Sequence, residues 1–237
     1  MKTKHLILTG TLLTWLAIGG VSCTTTSSTT ATMTQASQSA TTPAMALAKL
    51  KEGNGRFVSG HTARRDLKKQ MTETAAGQHP FASVVSCIDS RTSTELIFDQ
   101  GIGDVFNARV AGNIVNSDIV GSLEYASKVA GSKLIAVVGH TKCGAVKGAC
   151  DHVKLGNLTG LLDKIEPAVK STPSIGGADR SSKNHEFVDH VTANNVRHAM
   201  ASIRKQSPIL RQMEKVGQIQ IVGAMHDIET GKVTFLN

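Results

Sequence analysis

Short apolar runs recur along the chain and are separated by longer segments with helical periodicity. Three of these runs are rich in β-branched residues, as is typical of buried parallel strands: FASVVSC at 81–87, DVFNARV at 104–110 and KLIAVVGH at 133–140. Between the last two lies DIVGSLEYASKVAG at 118–131, which has helical spacing and ends at Gly131, a residue that favours helix C-termini. Strand, helix and strand in this order predict a crossover unit with parallel strands.

The rest of the chain from Pro43 onward continues this alternation. The stretch 43–60 has helical spacing, and Gly-Asn-Gly at 53–55 is expected to close that helix. Further helices are predicted over 64–77, 158–170 and 186–215, and a Pro/Ser/Gly-rich segment at 172–182 separates the last two. The last apolar runs, at 218–227 and 232–237, predict a hairpin across IETG. We therefore predict an α/β fold with a central, mostly parallel sheet flanked by helices, in a single domain over 43–237.

The first 42 residues have a different pattern. A basic start, MKTK, and an uncharged apolar core, LILTGTLLTWLAIGGV, predict a secretory signal peptide over 1–22. GGVSC at its end is similar to the lipobox of bacterial lipoproteins, so Cys23 is the expected lipidated residue, with ordinary secretion as the alternative. The Ser/Thr-rich stretch over 23–42 predicts a flexible tether. Together these features predict a periplasmic protein, exported to the bacterial cell envelope and held at a membrane by an N-terminal lipid anchor.

Composition and charge narrow the function classes. Aromatic residues make up 3% of the chain, which disfavours a base-stacking surface for single-stranded nucleic acid. The formal net charge of +8 is spread over helical stretches that also contain Asp and Glu, and Lys2 and Lys4 lie in the predicted leader. A solvated basic surface is the preferred interpretation, and no nucleic-acid partner is predicted.

Potential metal ligands follow two of the predicted strands. Cys87 and Asp89 come at the end of the first strand, and His140 and Cys143 at the end of the third. Because the carboxyl ends of parallel strands meet at one edge of a sheet, we expect these residues to converge there. Two thiolates and one imidazole suit Zn²⁺, and three protein ligands leave the fourth position free for catalysis.

Two interpretations of the cysteines stay open beside the metal site. Buried cysteines are common core residues, and Cys87 with Cys143 forms a disulfide in an oxidising compartment if metal is absent. Cys150 has no partner in this scheme and is interpreted as a buried helix residue.

The motifs CIDSR at 87–91, FDQGIGDVFNARVAGNIV at 98–115, GSLEYA and VVGHTKCGAV resemble β-class carbonic anhydrases, and the likeness runs from about Pro43 to the C-terminal strands. The resemblance implies Zn²⁺ bound by Cys87, His140 and Cys143. It implies a catalytic dyad of Asp89 and Arg91, with Asp89 as the fourth zinc ligand in a closed state. It also implies that the substrate-binding residues are Gln78, Phe106, Tyr125 and Gly144. Gln78 would act across a dimer interface.

The activity implied by the resemblance is the reversible hydration of carbon dioxide to bicarbonate and a proton by zinc-bound hydroxide. Asp89 accepts the hydrogen of the hydroxide in this scheme, and Arg91 holds Asp89 off the metal. Two alternatives remain: a zinc hydrolase of carbonyl sulfide or carbon disulfide on the same fold, and a zinc or redox module without catalysis. A homodimer or higher oligomer is expected, because the edges of such a sheet need covering.

Other histidines are less informative. His185 and His190 in HEFVDH are five residues apart and point about 140° apart on a helix, so they are interpreted as solvent-facing and not as a metal-binding pair. His79, His152 and His226 are alternative proton-relay residues, and the sequence does not select among them.

Overall fold

The computed structural model describes residues 30–174 and 177–236, and its centre is a five-stranded sheet in the order β2-β1-β3-β4-β5. Strands β1 to β4 are parallel, and β5 is antiparallel to β4. The predicted α/β fold with a mostly parallel sheet is confirmed, as is the C-terminal hairpin. The strand bounds are Ala82–Ser86 (β1), Val105–Arg109 (β2), Leu134–His140 (β3), Gln220–His226 (β4) and Val233–Phe235 (β5).

Helices fill the connections and flank the sheet. Two short irregular turns accompany them, a 3-10 turn at Ala111–Asn113 and a π-helical turn at Tyr125–Val129. The α-helices of the described residues are α1 (Gln35–Ala40), α2 (Pro43–Ser59), α3 (Leu67–Thr74), α4 (Thr94–Ile97), α5 (Ser117–Glu124), α6 (Gly144–Cys150), α7 (Gly156–Leu162), α8 (Glu166–Ser171), α9 (His185–Gln206) and α10 (Pro208–Lys215).

Both faces of the sheet are covered because successive residues of a strand point to opposite sides. Val84 of β1 packs in one apolar cluster with Leu50 of α2, whereas its neighbour Val85 packs on the other face with Ile203 of α9. A third apolar cluster lies at the carboxyl edge of the sheet and contains Cys87 and Cys143. Burial on both faces explains why β1 and β3 are continuous apolar runs in the sequence.

The predicted flexible tether is wrong for its second half, since part of it is folded onto the domain. Residues 35–40 form α1, with the Thr34 side chain capping its first turn. The Gln38 side chain is buried, and its amide donates to the carbonyls of Pro80 at 2.7 Å and Ala130 at 2.8 Å. Because a polar side chain anchors this segment by hydrogen bonds, the apolar pattern of the sequence did not predict a helix here. The predicted signal peptide and Cys23 lie outside the described residues.

The predicted end of the first helix at Gly-Asn-Gly is also wrong. Helix α2 runs through this triplet and ends at Gly60, whose φ of +73° only glycine adopts readily. Gly53 lies so close to the backbone of Phe98 that a Cβ would clash. Asn54 is buried, donates to Ile97 and Gly231, and accepts from the Val233 amide. Tertiary contacts therefore require these residues in the middle of the helix.

Within residues 30–174 and 177–236, no helix combines the length and apolarity needed to cross a bilayer.

Candidate metal centre

Three predicted ligands converge at the carboxyl edge of the sheet. Cys87 follows β1 directly, His140 is the last residue of the neighbouring strand β3, and Cys143 precedes the first turn of α6. All three side chains are buried, and their ligand atoms lie within 4.8 Å of one another, with the two Sγ atoms 4.0 Å apart. The convergence expected from the strand ends is therefore confirmed.

The state of His140 fits a metal ligand. Its Nδ1 donates to the Thr141 carbonyl at 2.9 Å, which leaves the lone pair on Nε2. That Nε2 is buried and has no hydrogen-bond partner among the described residues. A buried nitrogen without a partner is costly unless something binds it, and a divalent cation between Nε2 and two sulfurs meets that need. The residues present therefore fit Zn²⁺.

The two thiols share one proton in this arrangement. The Cys143 thiol donates to Cys87, and this bond, with a smaller contribution from the Gly112 amide, lowers the pKa of Cys87 well below its usual range despite burial. The same interaction and burial raise the pKa of Cys143. A divalent cation at the site would remove the remaining proton, since only the thiolate is a good ligand.

Asp89 and Arg91 form a tight pair beside the metal ligands. Arg91 donates from Nε to Asp89 Oδ1 at 2.9 Å and from Nη2 to Oδ2 at 2.7 Å, and its backbone amide also donates to Oδ1. The Arg91 guanidinium lowers the pKa of Asp89 well below its usual range. Asp89 Oδ2 lies 3.9 Å from His140 Nε2, so the carboxylate reaches the edge of the ligand cluster while both of its oxygens remain bonded to Arg91.

Two of the predicted substrate residues lie elsewhere in a single chain. Phe106 and Tyr125 contact each other edge to face, with ring centroids 6.3 Å apart. They line a groove of about 560 Å³ beside the edge strand β2, and none of the metal ligands lines this groove. Gly144, in contrast, is adjacent to Cys143 and exposed.

Gln78 is also distant from the metal ligands of its own chain. It is exposed and lies in the segment that enters the amino end of β1, whereas Cys87 follows the carboxyl end. A five-residue strand spans roughly 17 Å. One chain therefore does not bring Gln78, Phe106 and Tyr125 together with its own ligand cluster.

Contacts from β2 and the following turn hold the Cys87–Asp89 segment, and the sequence does not predict them. Arg109, the last residue of β2, donates from Nε to the Cys87 carbonyl and from Nη2 to the Asp89 carbonyl. The Gly112 amide donates to Cys87 Sγ at 3.4 Å. The predicted strand ending near Arg109 was the only sequence signal, and it did not show which strand lies next to it.

Three other histidines and Cys150 lie outside the ligand cluster. His185 and His190 are exposed, as predicted. His226 is buried and pairs with His140 on the neighbouring strand, and burial lowers its pKa. Cys150 is a buried residue of α6, and burial raises the pKa of its thiol to about 11, so it is a poor nucleophile and its interpretation as a core residue is confirmed.

The sequence is similar to those of known carbonic anhydrases. The carbonic anhydrase family model matches residues 82–233. Carbonic anhydrase 2 of Mycobacterium tuberculosis is 35% identical over 198 residues, covering 81% of this chain and 92% of that protein. The carbonic anhydrase of Mycolicibacterium smegmatis is 35% identical over 194 residues with the same coverage.

Solved structures show the same fold. The β-carbonic anhydrase CafA of Aspergillus fumigatus superimposes with a TM-score of 0.61 at 26% identity, covering 82% of this chain and 90% of that one. One of the two tetrameric β-carbonic anhydrases of Sordaria macrospora gives a TM-score of 0.63 at 24% identity, covering 70% and 85%.

Proposed function

The chain belongs to the β-class carbonic anhydrase family, and from this premise we propose how its own residues interconvert carbon dioxide and bicarbonate. Its activity is that of a carbonic anhydrase with a buried Cys-His-Cys zinc site. The observation that carries the mechanism is the bidentate Asp89–Arg91 pair at the edge of the ligand cluster.

Cys87, His140 and Cys143 would hold Zn²⁺, and the Asp89 carboxylate lies beside these three residues. When bound there, zinc supplies Lewis acidity that makes water a nucleophile near neutral pH. The Asp89 carboxylate accepts the hydrogen of that nucleophile and directs its lone pair at the carbon of CO₂. Arg91 fixes the carboxylate by two charge-assisted hydrogen bonds and so keeps it out of the metal's fourth position.

A closed state follows from the same geometry. Since Asp89 Oδ2 lies 3.9 Å from His140 Nε2, a carboxylate released from Arg91 would be near enough to act as a further zinc ligand and block the site. The open state depends on the arginine fork, which a lysine does not reproduce because it lacks a second coplanar donor.

The substrate is tested by steady-state assays with three linear molecules. We expect turnover of CO₂ to exceed that of carbonyl sulfide and carbon disulfide, because the family model and the curated relatives that the chain matches are carbonic anhydrases. Zinc content measured on the same sample accompanies the assay. Faster hydrolysis of a sulfur compound than hydration of CO₂ would identify the rival hydrolase, and zinc binding without turnover would identify a non-catalytic module.

The placement of Gln78, Phe106 and Tyr125 supports a homodimer or higher oligomer in which one chain completes the site of another. The Sordaria macrospora enzymes, which share the fold, are tetrameric. Edge strand β2 is half exposed along its length and borders the groove that holds Phe106 and Tyr125, so its unpaired edge is available to a second copy.

Subunit complementation tests this arrangement. Gln78→Ala and His140→Ala chains are each expected to be impaired, while their equimolar mixture regains about a quarter of wild-type activity, since half of the dimers are mixed and each of these has one intact site of two. Light scattering establishes that dimers form. A fully active monomer, or mixtures no more active than the separate variants, would contradict the shared site.

The N-terminal sequence supports export to the bacterial cell envelope and a periplasmic, membrane-anchored protein with a lipid on Cys23. The described domain begins near Thr30, whose amide donates to the Arg64 carbonyl, so few residues separate the proposed lipid from the folded part. Incorporation of labelled fatty acid into wild-type protein and not into Cys23→Ser is the expected result, and an unlabelled, soluble exported protein would contradict the anchor.

A further inference from the structure

Two loops position the zinc ligands and are called the ligand loops: one lies between His140 and Cys143, and the other, Ala111–Asn113, contacts Cys87. Lys142, between His140 and Cys143, has a φ of +57°, in the left-handed region. Gly112, whose amide donates to Cys87 Sγ, has a φ of +67°. Glycine adopts this region readily, whereas in a residue with a side chain, such as Lys142, it persists where surrounding contacts enforce it.

Helix α9 contacts the first of these loops through Asp189. The Asp189 carboxylate accepts the Lys142 backbone amide at 3.1 Å. Since Lys142 lies between His140 and Cys143, this bond fixes the turn that sets the distance between the imidazole and the second sulfur.

The same helix contacts the second loop through Asn195. The Asn195 side chain is buried, and its Nδ2 donates to the Gly112 carbonyl at 2.7 Å. Gly112 in turn donates its amide to Cys87 Sγ. Asn195 therefore holds, through the carbonyl, the same residue whose amide bonds the sulfur of the first ligand, although it is 83 residues away from Gly112 in the sequence.

Around Asp189 and Asn195, helix α9 packs tightly against the sheet. A Cβ on Gly139, the residue before His140, would lie 2.8 Å from Val196 and 2.9 Å from Thr192. Phe187 and Val188 of the same helix are fully buried in the cluster that contains both cysteines. The helix is thus a rigid element in contact with both ligand loops and the strand between them.

We propose that Asp189 and Asn195 are positioning residues that hold the two ligand loops at the separation zinc requires. This inference rests on the proposed zinc site and deepens it by assigning to α9 the relative placement of Cys87 and the His140–Cys143 turn. Outer-shell partners of this type commonly change metal affinity by about 10- to 100-fold. Neither residue touches the metal or the substrate.

The test compares zinc affinity in full-chain variants by competition with a chromogenic chelator. Asp189→Leu and Asn195→Leu are expected to weaken zinc binding by about 10- to 100-fold. Asp189→Asn is expected to bind zinc nearly as wild type, because an amide oxygen still accepts the Lys142 amide. Asn194→Leu is the matched control: Asn194 is the neighbouring amide of α9 and donates to Thr172, away from both ligand loops.

A spectroscopic readout separates positioning from general stability. In Co²⁺-substituted protein, Asn195→Leu is expected to shift the thiolate-to-cobalt charge-transfer band, since the Gly112 amide no longer bonds Cys87 in the same way, and Asn194→Leu is not. Asp189 is half-buried, so its variants keep the test available even if Asn195→Leu does not fold.

Three results overturn the inference: unchanged zinc affinity in both leucine variants, equal weakening by Asn194→Leu, or failure of Asp189→Asn to restore affinity. If wild-type protein itself binds no zinc, the proposed function fails instead.

Discussion

Asp89→Asn is expected to keep its zinc and to lose about 10²- to 10⁴-fold in kcat/KM for CO₂ hydration, the usual contribution of a positioned general base. The ligands Cys87, His140 and Cys143 are unchanged in this variant. The asparagine amide is a weaker acceptor than a carboxylate, and it does not form the charged fork with Arg91.

In the proposed mechanism, Arg91 orients the Asp89 carboxylate and does not control its ionisation near neutral pH. An ordinary aspartate has a pKa of about 4, so Asp89 is a carboxylate at neutral pH with or without its arginine. Arg91 lowers the pKa of Asp89 further, and its removal raises that pKa toward the ordinary value without neutralising the group near pH 7. Arg91→Met is therefore expected to lose activity near neutral pH because the freed carboxylate moves onto the metal.

Stopped-flow CO₂ hydration together with elemental analysis measures both effects. Glu95→Gln is the matched control, since Glu95 is a nearby carboxylate that accepts from Asn107 and lies outside the dyad. Zinc-loaded Asp89→Asn with wild-type hydration would remove the dyad from the mechanism, as would an equal loss in Glu95→Gln.

Removal of the metal is expected to abolish CO₂ hydration and to make the site sensitive to air. With the two Sγ atoms 4.0 Å apart and no cation between them, Cys87 and Cys143 are placed to form a disulfide after a small movement. The two thiols give up two protons and two electrons to molecular oxygen, which is reduced to hydrogen peroxide. Zinc added after oxidation then fails to restore activity until a thiol reductant is supplied.

Thiol titration and intact mass of the chelated protein follow this reaction. Cys150→Ala is the control variant. If this variant still loses two thiols in air, the disulfide joins Cys87 and Cys143 and does not involve Cys150. Chelated protein that keeps both ligand thiols free in air, or that hydrates CO₂ as fast as before chelation, would contradict the prediction.

Much of the candidate site could be predicted from the sequence, because its residues lie close together in short segments of the chain. The apolar runs at 81–87 and 133–140 predicted two buried strands, and the ligands are attached directly to the ends of those strands. Asp89 and Arg91 are two residues apart, so their pairing needs only a turn that follows Cys87. Parallel strands align their carboxyl ends, and this general rule brought the two ligand sets together without knowledge of the individual contacts.

The contacts that support the site were decided by tertiary structure alone. Asp189 and Asn195 bond backbone groups of loops far away in the sequence, and an apolar-polar pattern does not report the partner of a polar side chain. The same holds for Gln38, whose two carbonyl partners anchor a helix in the expected tether, and for Gly53, where the close approach of Phe98 requires glycine inside a helix. The buried segments and the potential zinc ligands were predictable from the sequence, because the first follow from local apolar patterns and the second from side-chain chemistry at the strand ends. Which distant backbone each polar group meets depends on the packing of the whole chain.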